Sequence, residues 1–335
     1  MKRVLITGAA GFLGSHLLFH HVEKGDCVLG LDNFCSSSPY SQHVEQINAL
    51  YRQGLSVELI NCDITDNERV KSSIIKFCHS YGFHKFDLIY NFACPASPPI
   101  YQKIPIETLM TCVLGTKNIL DIAKQHDAIF VHASTSEVYG DPTTSPQNEL
   151  YKGNVNSYGP RSCYDEGKRA AEALCFDYHN QREVDARLVR IFNTYGPRMD
   201  SRDGRVVSNF ICQALKEEPL TIYGNGDQTR SFCYVDDLIR GIIKLGELDY
   251  NPKIPINLGN PNEFTIRELA TLILKKIPSD NDDINITFKP LPIDDPLQRC
   301  PNISVARHLL DWEPKIMLDE GLDKTINYFK QSLLV

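Results

Sequence analysis

Val4-Leu5-Ile6-Thr7-Gly8-Ala9-Ala10-Gly11-Phe12-Leu13-Gly14 decides the fold. An apolar run of strand type ends in three glycines spaced GxxGxxG. Phe12, Leu13, Leu17, Leu18 and Val22 then recur at helical spacing until Gly25. A strand that turns through glycine into a helix aims backbone N–H groups, at the positive end of the helix, toward a pyrophosphate. Alone the turn is weak evidence, because tight strand-to-helix turns need glycine for conformational reasons. Context strengthens it. The next apolar run, 27–32, ends at Asp32, about twenty residues on, where a carboxylate can accept hydrogen bonds from an adenosine ribose. An acid there repels a 2′-phosphate, so the pattern favours NAD over NADP.

Working outward, short Val/Ile/Leu-rich runs alternate with amphipathic stretches through the first half of the chain. Strands are expected at 4–7, 27–32, 57–61, 87–92, 129–133 and 187–191, with a helix at 113–123. This is the pattern of an α/β, Rossmann-type, doubly wound parallel sheet. Asp63 and Ile64, after the third strand, are expected near the adenine, and Phe92 and Ala93, after the fourth, near the nicotinamide. Past 192 the rhythm breaks into loops rich in Gly, Asp and Arg, a helix at 266–276 and a terminal helix at 322–334. Residues 1–191 are therefore expected to form the NAD-binding domain and 192–335 a smaller C-terminal α/β substrate lobe.

Composition narrows the partners. The 335 residues carry a formal charge of -7 without a dense Lys/Arg run, which argues against nucleic acid and anionic membranes. The chain enters its first strand directly after Met1, Lys2 and Arg3, and no run approaches a membrane span, so a cytoplasmic location is expected. Eleven scattered cysteines include no CxxC pair or Cys/His cluster at zinc spacing, and His20 and His21 are adjacent helical positions that do not share a face. No metal is expected.

Catalytic chemistry is suggested by Ser162-Cys163-Tyr164-Asp165-Glu166-Gly167-Lys168, a helical stretch that puts Tyr164 and Lys168 on one face. A nearby ammonium and a nicotinamide cation would lower the phenol's pKa and make it a base for a sugar hydroxyl. Thr135, in Ser134-Thr135-Ser136-Glu137 at a strand end, is expected to hydrogen-bond that hydroxyl.

GxxGxxG, the Ser/Thr strand end before Val138-Tyr139-Gly140, and YxxxK together resemble the extended short-chain dehydrogenase/reductases across nearly the whole chain. That resemblance implies a nucleotide-sugar enzyme with catalytic NAD. It also implies a homodimer built on two helices per subunit, here 106–123 and 162–178. It adds Asn33, Phe34 and Thr111 to the cofactor set of Gly8, Gly11, Phe12, Leu13, Gly14, Asp32, Asp63, Ile64, Ala93, Tyr164 and Lys168. The resemblance narrows to the UDP-glucuronate decarboxylase (UDP-xylose synthase) branch at Ala93-Cys94-Pro95-Ala96-Ser97-Pro98-Pro99, at 191–199, at Gly204-Arg205-Val206-Val207 and at Gln228-Thr229-Arg230. It continues at Asp294-Asp295-Pro296 with Arg299, and at Trp312-Glu313-Pro314. This branch implies substrate contacts from Pro95, Ser136, Asn193, Arg205, Tyr223, Gln228, Arg230 and Arg299. Thr135, Glu137, Tyr164, Lys168 and Arg299 carry the chemistry, with Arg299 or a water on Glu137 aiding reprotonation at C5.

Related 4,6-dehydratases place Asp-Glu after the Thr, the Asp protonating a departing hydroxyl. This chain has Ser136-Glu137, and a carboxylate leaving as carbon dioxide needs no such donor. A UDP-sugar 4-epimerase, an oxidative decarboxylase releasing a 4-keto pentose and NADH, and a non-catalytic nucleotide-sugar sensor stay open at this point. Met110 stands where the branch usually has Lys, removing a cation expected to face the substrate, Cys112 where many members have Asn or Ser, and Cys300 where Lys is frequent.

Overall fold

The computed structural model describes residues 1–278, 286–292, 294, 296 and 298–333; Asp295 of the quoted motif and Leu334 of the expected terminal helix lie outside the described residues. Six strands build most of the main sheet: β1 (Arg3–Thr7), β2 (Cys27–Asp32), β3 (Val57–Asn61), β4 (Leu88–Asn91), β5 (Ile129–Thr135) and β6 (Ala186–Ile191). A strand at Ile256–Leu258 pairs beside β6, so the spatial order is 256–258, β6, β5, β4, β1, β2, β3, every pair parallel.

Alternation along β1 feeds two apolar layers. Val4 and Ile6 pack with Leu17 and Leu18 of α1 (Phe12–Glu23), whereas Leu5 joins the opposite layer with Phe77 and Ile119. Both faces are covered, which is why β2 is buried at all six positions and reads as a continuous apolar run.

Strand order reverses between β1 and β4, and a crevice opens there at the carboxyl ends of the strands. Thr7 ties the two strands at this point: its hydroxyl donates to Asn91 Oδ1 at 2.8 Å and accepts from the backbone N–H groups of Phe92 and Ala93, each at 3.1 Å.

Several expected elements differ in detail. β5 runs on to Thr135 because Ser134 and Thr135 keep their pairing with Arg190 and Ile191. The helix expected at 113–123 belongs to a longer rod, Pro105–Met110 and Thr116–His126 joined by a π-helical turn at Thr111–Gly115. Gly115 faces Ile64 there, and a Cβ on it would lie 2.6 Å from Ile64 Cδ1. The catalytic-type helix runs Ser162–Arg182, past the expected 178.

The sequence boundary at 191/192 is crossed by Val235–Gly246 and Ile256–Leu258, which return to the main sheet, while strands at 220–223, 229–231, 263–265, 286–289 and 298–299 form small separate sheets. The helix at Ile266–Lys276 has the expected bounds and opens on a capping box between Thr265 and Glu268. Trp312 is buried, its indole N–H donating to Asp237 O at 2.8 Å, a packing anchor as expected.

Candidate active site

A cavity of about 1210 Å³ follows the carboxyl edge of the sheet and runs into the smaller lobe. The structure gathers every candidate residue named above around it except Phe34, whose backbone N–H instead holds the Asp32 carboxylate at 2.7 Å.

At the cofactor end, Gly8 has φ +68°, and a Cβ there would meet the Phe92 carbonyl oxygen at 2.7 Å. Gly14 is tighter: its Cβ would stand 2.0 Å from Gly8 O, so helix and turn close only around a hydrogen. Asp32 is buried at the end of β2 and also accepts from Ala10 N at 3.0 Å. Burial pushes its pKa up, against the pull of those backbone N–H groups. Asp63 is drawn below the usual range despite burial, because Thr65 and Asn33 hydrogen-bond its oxygens. A side-chain-free turn at a helix N-terminus, a crevice at the switch point and a carboxylate at the second strand's end fit a dinucleotide without a 2′-phosphate. Gly14→Ala is expected to weaken NAD binding at least tenfold, since forced backbone outliers cost ~1–3 kcal/mol; calorimetry with NAD checks this.

At the other end, Tyr164 is buried with its phenol hydrogen-bonded to Thr135, whose Oγ1 also accepts from Glu137 N at 3.2 Å. Lys168 Nζ lies 5.9 Å from the centre of the Tyr164 ring and donates to Ala133 O at 2.7 Å. Burial raises the Tyr164 pKa well above its ordinary value, outweighing the Thr135 hydrogen bond, so in the protein alone the phenol keeps its proton.

Glu137 sits in a clamp of two arginines. It is gripped by Arg161 Nη2 at 2.7 Å and by Arg299, whose nearest contact is 3.2 Å. Burial opposes ionisation, but the charges of Arg299 and Arg161 prevail and bring the carboxyl down to about 2. Arg299, fully buried, additionally donates to Ser136 Oγ and Gly140 O, both at 2.9 Å.

Among the cavity residues that escaped the sequence reading, two adjoin Glu137 and Tyr164. Arg161, three residues before Tyr164, carried a weak spacing signal. Tyr101 carried none: its ring stacks on Tyr164 at 5.1 Å with planes 3° apart, and its buried hydroxyl has no hydrogen-bond partner among the described residues. Arg205 pairs with Asp203 at 2.5 Å and lies over Phe12, reaching from the small lobe to the glycine turn. Met110 is not where a substrate contact must be. It is partly exposed, away from the cavity lining, with Ile106, Leu109 and Leu114 also exposed nearby. Met110→Lys should leave kcat and KM within about twofold, as surface changes usually cost under ~0.5 kcal/mol; steady-state kinetics checks it.

Residues 5–325 match the family model described as GDP-mannose 4,6 dehydratase. The chain is 46% identical over 332 residues to UDP-glucuronic acid decarboxylase 1 of Arabidopsis thaliana, covering 99% of this chain and 71% of that protein. It is 48% identical to UDP-glucuronic acid decarboxylase 1 of Danio rerio, covering 99% and 73%. The chain belongs to this family, in its UDP-glucuronic acid decarboxylase branch. Solved members of the wider fold agree. The UDP-glucuronic acid 4-epimerase of Bacillus cereus, crystallised with UDP-glucuronic acid and NAD, matches with a TM-score of 0.83 and 29% identity over 98% of this chain and 99% of that one. The UDP-glucose 4-epimerase of Thermotoga maritima matches at 0.85 and 26%, over 99% of both.

Proposed function

We propose that this protein is an NAD-dependent carboxy-lyase that converts UDP-glucuronate to UDP-xylose by transient oxidation at C4. The observation that carries the choice of reaction is the state of Glu137. Held ionised between two arginines, it cannot hand a proton to a departing hydroxyl, and the position before it, where the dehydratases carry the donating Asp, is Ser136, whose hydroxyl oxygen accepts from Arg299 at 2.9 Å, so dehydration has no donor here. Loss of carbon dioxide requires none.

Bound in this cavity, a nicotinamide would supply a hydride acceptor and a positive charge that favours the ionised Tyr164 phenol. Tyr164 then takes the proton of the C4 hydroxyl, and Thr135 fixes that oxygen. Once C4 is a ketone, the C5 carboxylate is β to a carbonyl, and electrons of the breaking bond move onto the C4 oxygen, stabilised by Thr135 and Tyr164. Lys168 lends its charge through the same face. Arg299 and Arg161 orient the sugar end through Glu137 and Ser136, and the Tyr101 hydroxyl is available to the substrate. Asn193, Arg205, Tyr223, Gln228 and Arg230 hold the UDP, the arginines bonding phosphate oxygens.

Exposed Ile106, Leu109, Met110, Leu114 and Phe176 support a homodimer through the 105–126 and 162–182 helices. Ile106→Asp is expected to raise the dimer dissociation constant at least tenfold, read by sedimentation. A cytoplasmic, reducing location is supported by eleven free cysteines, eight of them buried. Among the described residues no helix is long and apolar enough to cross a membrane.

The reaction is tested with UDP-glucuronate carrying labelled carbon at C6. Release of the label as carbon dioxide with a UDP-pentose product supports the reading; a UDP-hexuronate that keeps its label and changes only its C4 configuration would instead make this chain a 4-epimerase.

A further inference from the structure

Cys94 and Cys112 come from different elements and meet beside the catalytic residues. Cys94 follows Ala93 on the cavity wall, and Cys112 lies in the π-helical turn. Their sulfurs are 3.3 Å apart and share a hydrogen. The pair loses its protons in two steps, the first eased and the second resisted, with the Lys168 ammonium favouring the negative charge on both sulfurs. The eased ionisation is that of Cys112, behind the wall, and Cys94, which hydrogen-bonds to it, is the sulfur that lines the cavity. Cys112 also touches the catalytic helix: a Cβ on Gly167 would lie 3.0 Å from Cys112 Cβ and 3.1 Å from its Sγ.

We propose that Cys94 and Cys112 form a peroxide-sensitive dithiol, whose closure into a disulfide reversibly disables the cofactor end of the cavity. The chemistry balances with one hydrogen peroxide. The Cys94 sulfur attacks a peroxide oxygen, the O–O bond breaks, and the departing hydroxide takes the thiol proton as water, leaving a sulfenic acid. Cys112 then attacks that sulfur; the S–S bond forms and the hydroxide leaves with the second thiol proton as another water. Two electrons pass from the two sulfurs to peroxide.

Closure requires motion. The sulfurs must approach from 3.3 Å to the ~2.05 Å of a disulfide. That draws together two segments with separate duties: the wall at Ala93–Pro95, and the turn that holds Thr111 and abuts Gly167 between Tyr164 and Lys168. A π-turn carries an extra residue within a helix and is a place where backbone can shift. The effect on turnover rests on reading this cavity as the NAD site, whereas the bond itself does not.

The test treats the reduced, full-length protein with increasing hydrogen peroxide. Free thiols, disulfide-linked peptides under non-reducing mass spectrometry, NAD affinity and turnover are followed together. The expected result is loss of two thiols, a Cys94–Cys112 linked peptide lighter by two hydrogens, and at least tenfold loss of turnover restored by dithiothreitol. Cys112→Ser is expected to retain the basal activity and to resist this reversible loss. The proposal is overturned if the linked peptide joins other cysteines such as Cys163, if the Cys94–Cys112 bond forms without changing NAD affinity or turnover, or if Cys112→Ser is inactivated at the same peroxide dose and recovers equally. Because linkage is read by mass, a failure of the decarboxylase reading leaves that result intact.

Discussion

Tyr164→Phe loses turnover by ~10³-fold or more, at the upper part of the range for removing a positioned acid–base group, while NAD still binds. The phenol is the one hydroxyl that both contacts Thr135 and stands beside Lys168, and Phe keeps the ring that stacks on Tyr101. The variant therefore separates chemistry from packing. Single-turnover mixing should show no reduced nicotinamide, whereas calorimetry should give an NAD affinity within about threefold of wild type, a difference of ~0.7 kcal/mol. Retained turnover would remove Tyr164 from its role.

Glu137→Gln carries the second large effect, and it falls on two observables. Neutralising the carboxylate leaves the Arg161 and Arg299 guanidiniums beside an amide, and removing one member of a buried ion pair costs ~3–5 kcal/mol. A pKa brought from 4.5 to about 2 corresponds to a contribution on the order of 3 kcal/mol. The sign follows from the direction. Because the folded-state value is depressed, the stabilisation is fully present above 4.5 and fades as pH falls toward 2. The melting-temperature gap between wild type and Glu137→Gln should accordingly be wide at neutral pH and narrow in acid; a gap that widens in acid would contradict the clamp. In the reaction, carbon dioxide release should slow more than cofactor reduction, because the disturbed arginines hold the sugar end rather than the Tyr164–Thr135 pair. Equal slowing of both phases would count against that placement.

The fold was legible because its strands are buried on both faces. The run 27–32 stood out by composition alone, and 57–61, an edge strand buried only at Val57, by its place in the alternation; the ends found in the structure are the same. Local pattern also located the glycine turn and the YxxxK helix, whose geometry needs only neighbours in sequence. The π-turn did not show in the local pattern, and the neighbour Gly115 faces there, Ile64, is 51 residues earlier along the chain by subtraction of their numbers. Tyr101 was missed because its stack on Tyr164 exists only after the crossover from β4 to β5 is made.

Electrostatics were the least legible. Counting residue types suggested that Lys168 would acidify Tyr164 and that Glu137 would hold a water. Neither reading accounted for how burial raises the phenol against its Thr135 hydrogen bond, nor for two arginines from distant segments converging on one carboxylate. Met110 misled in the opposite sense, since a missing cation matters only if the position faces the substrate, and this one is partly exposed outside the cavity.

The most direct measurement of transient oxidation at C4 uses UDP-glucuronate deuterated at that carbon. The account predicts a primary isotope effect on cofactor reduction, a UDP-pentose that retains deuterium at C4, and reduced-nicotinamide absorbance that rises and falls within each turnover. A pentose carrying solvent hydrogen at C4, or carbon dioxide released with no reduction of the cofactor, would contradict it.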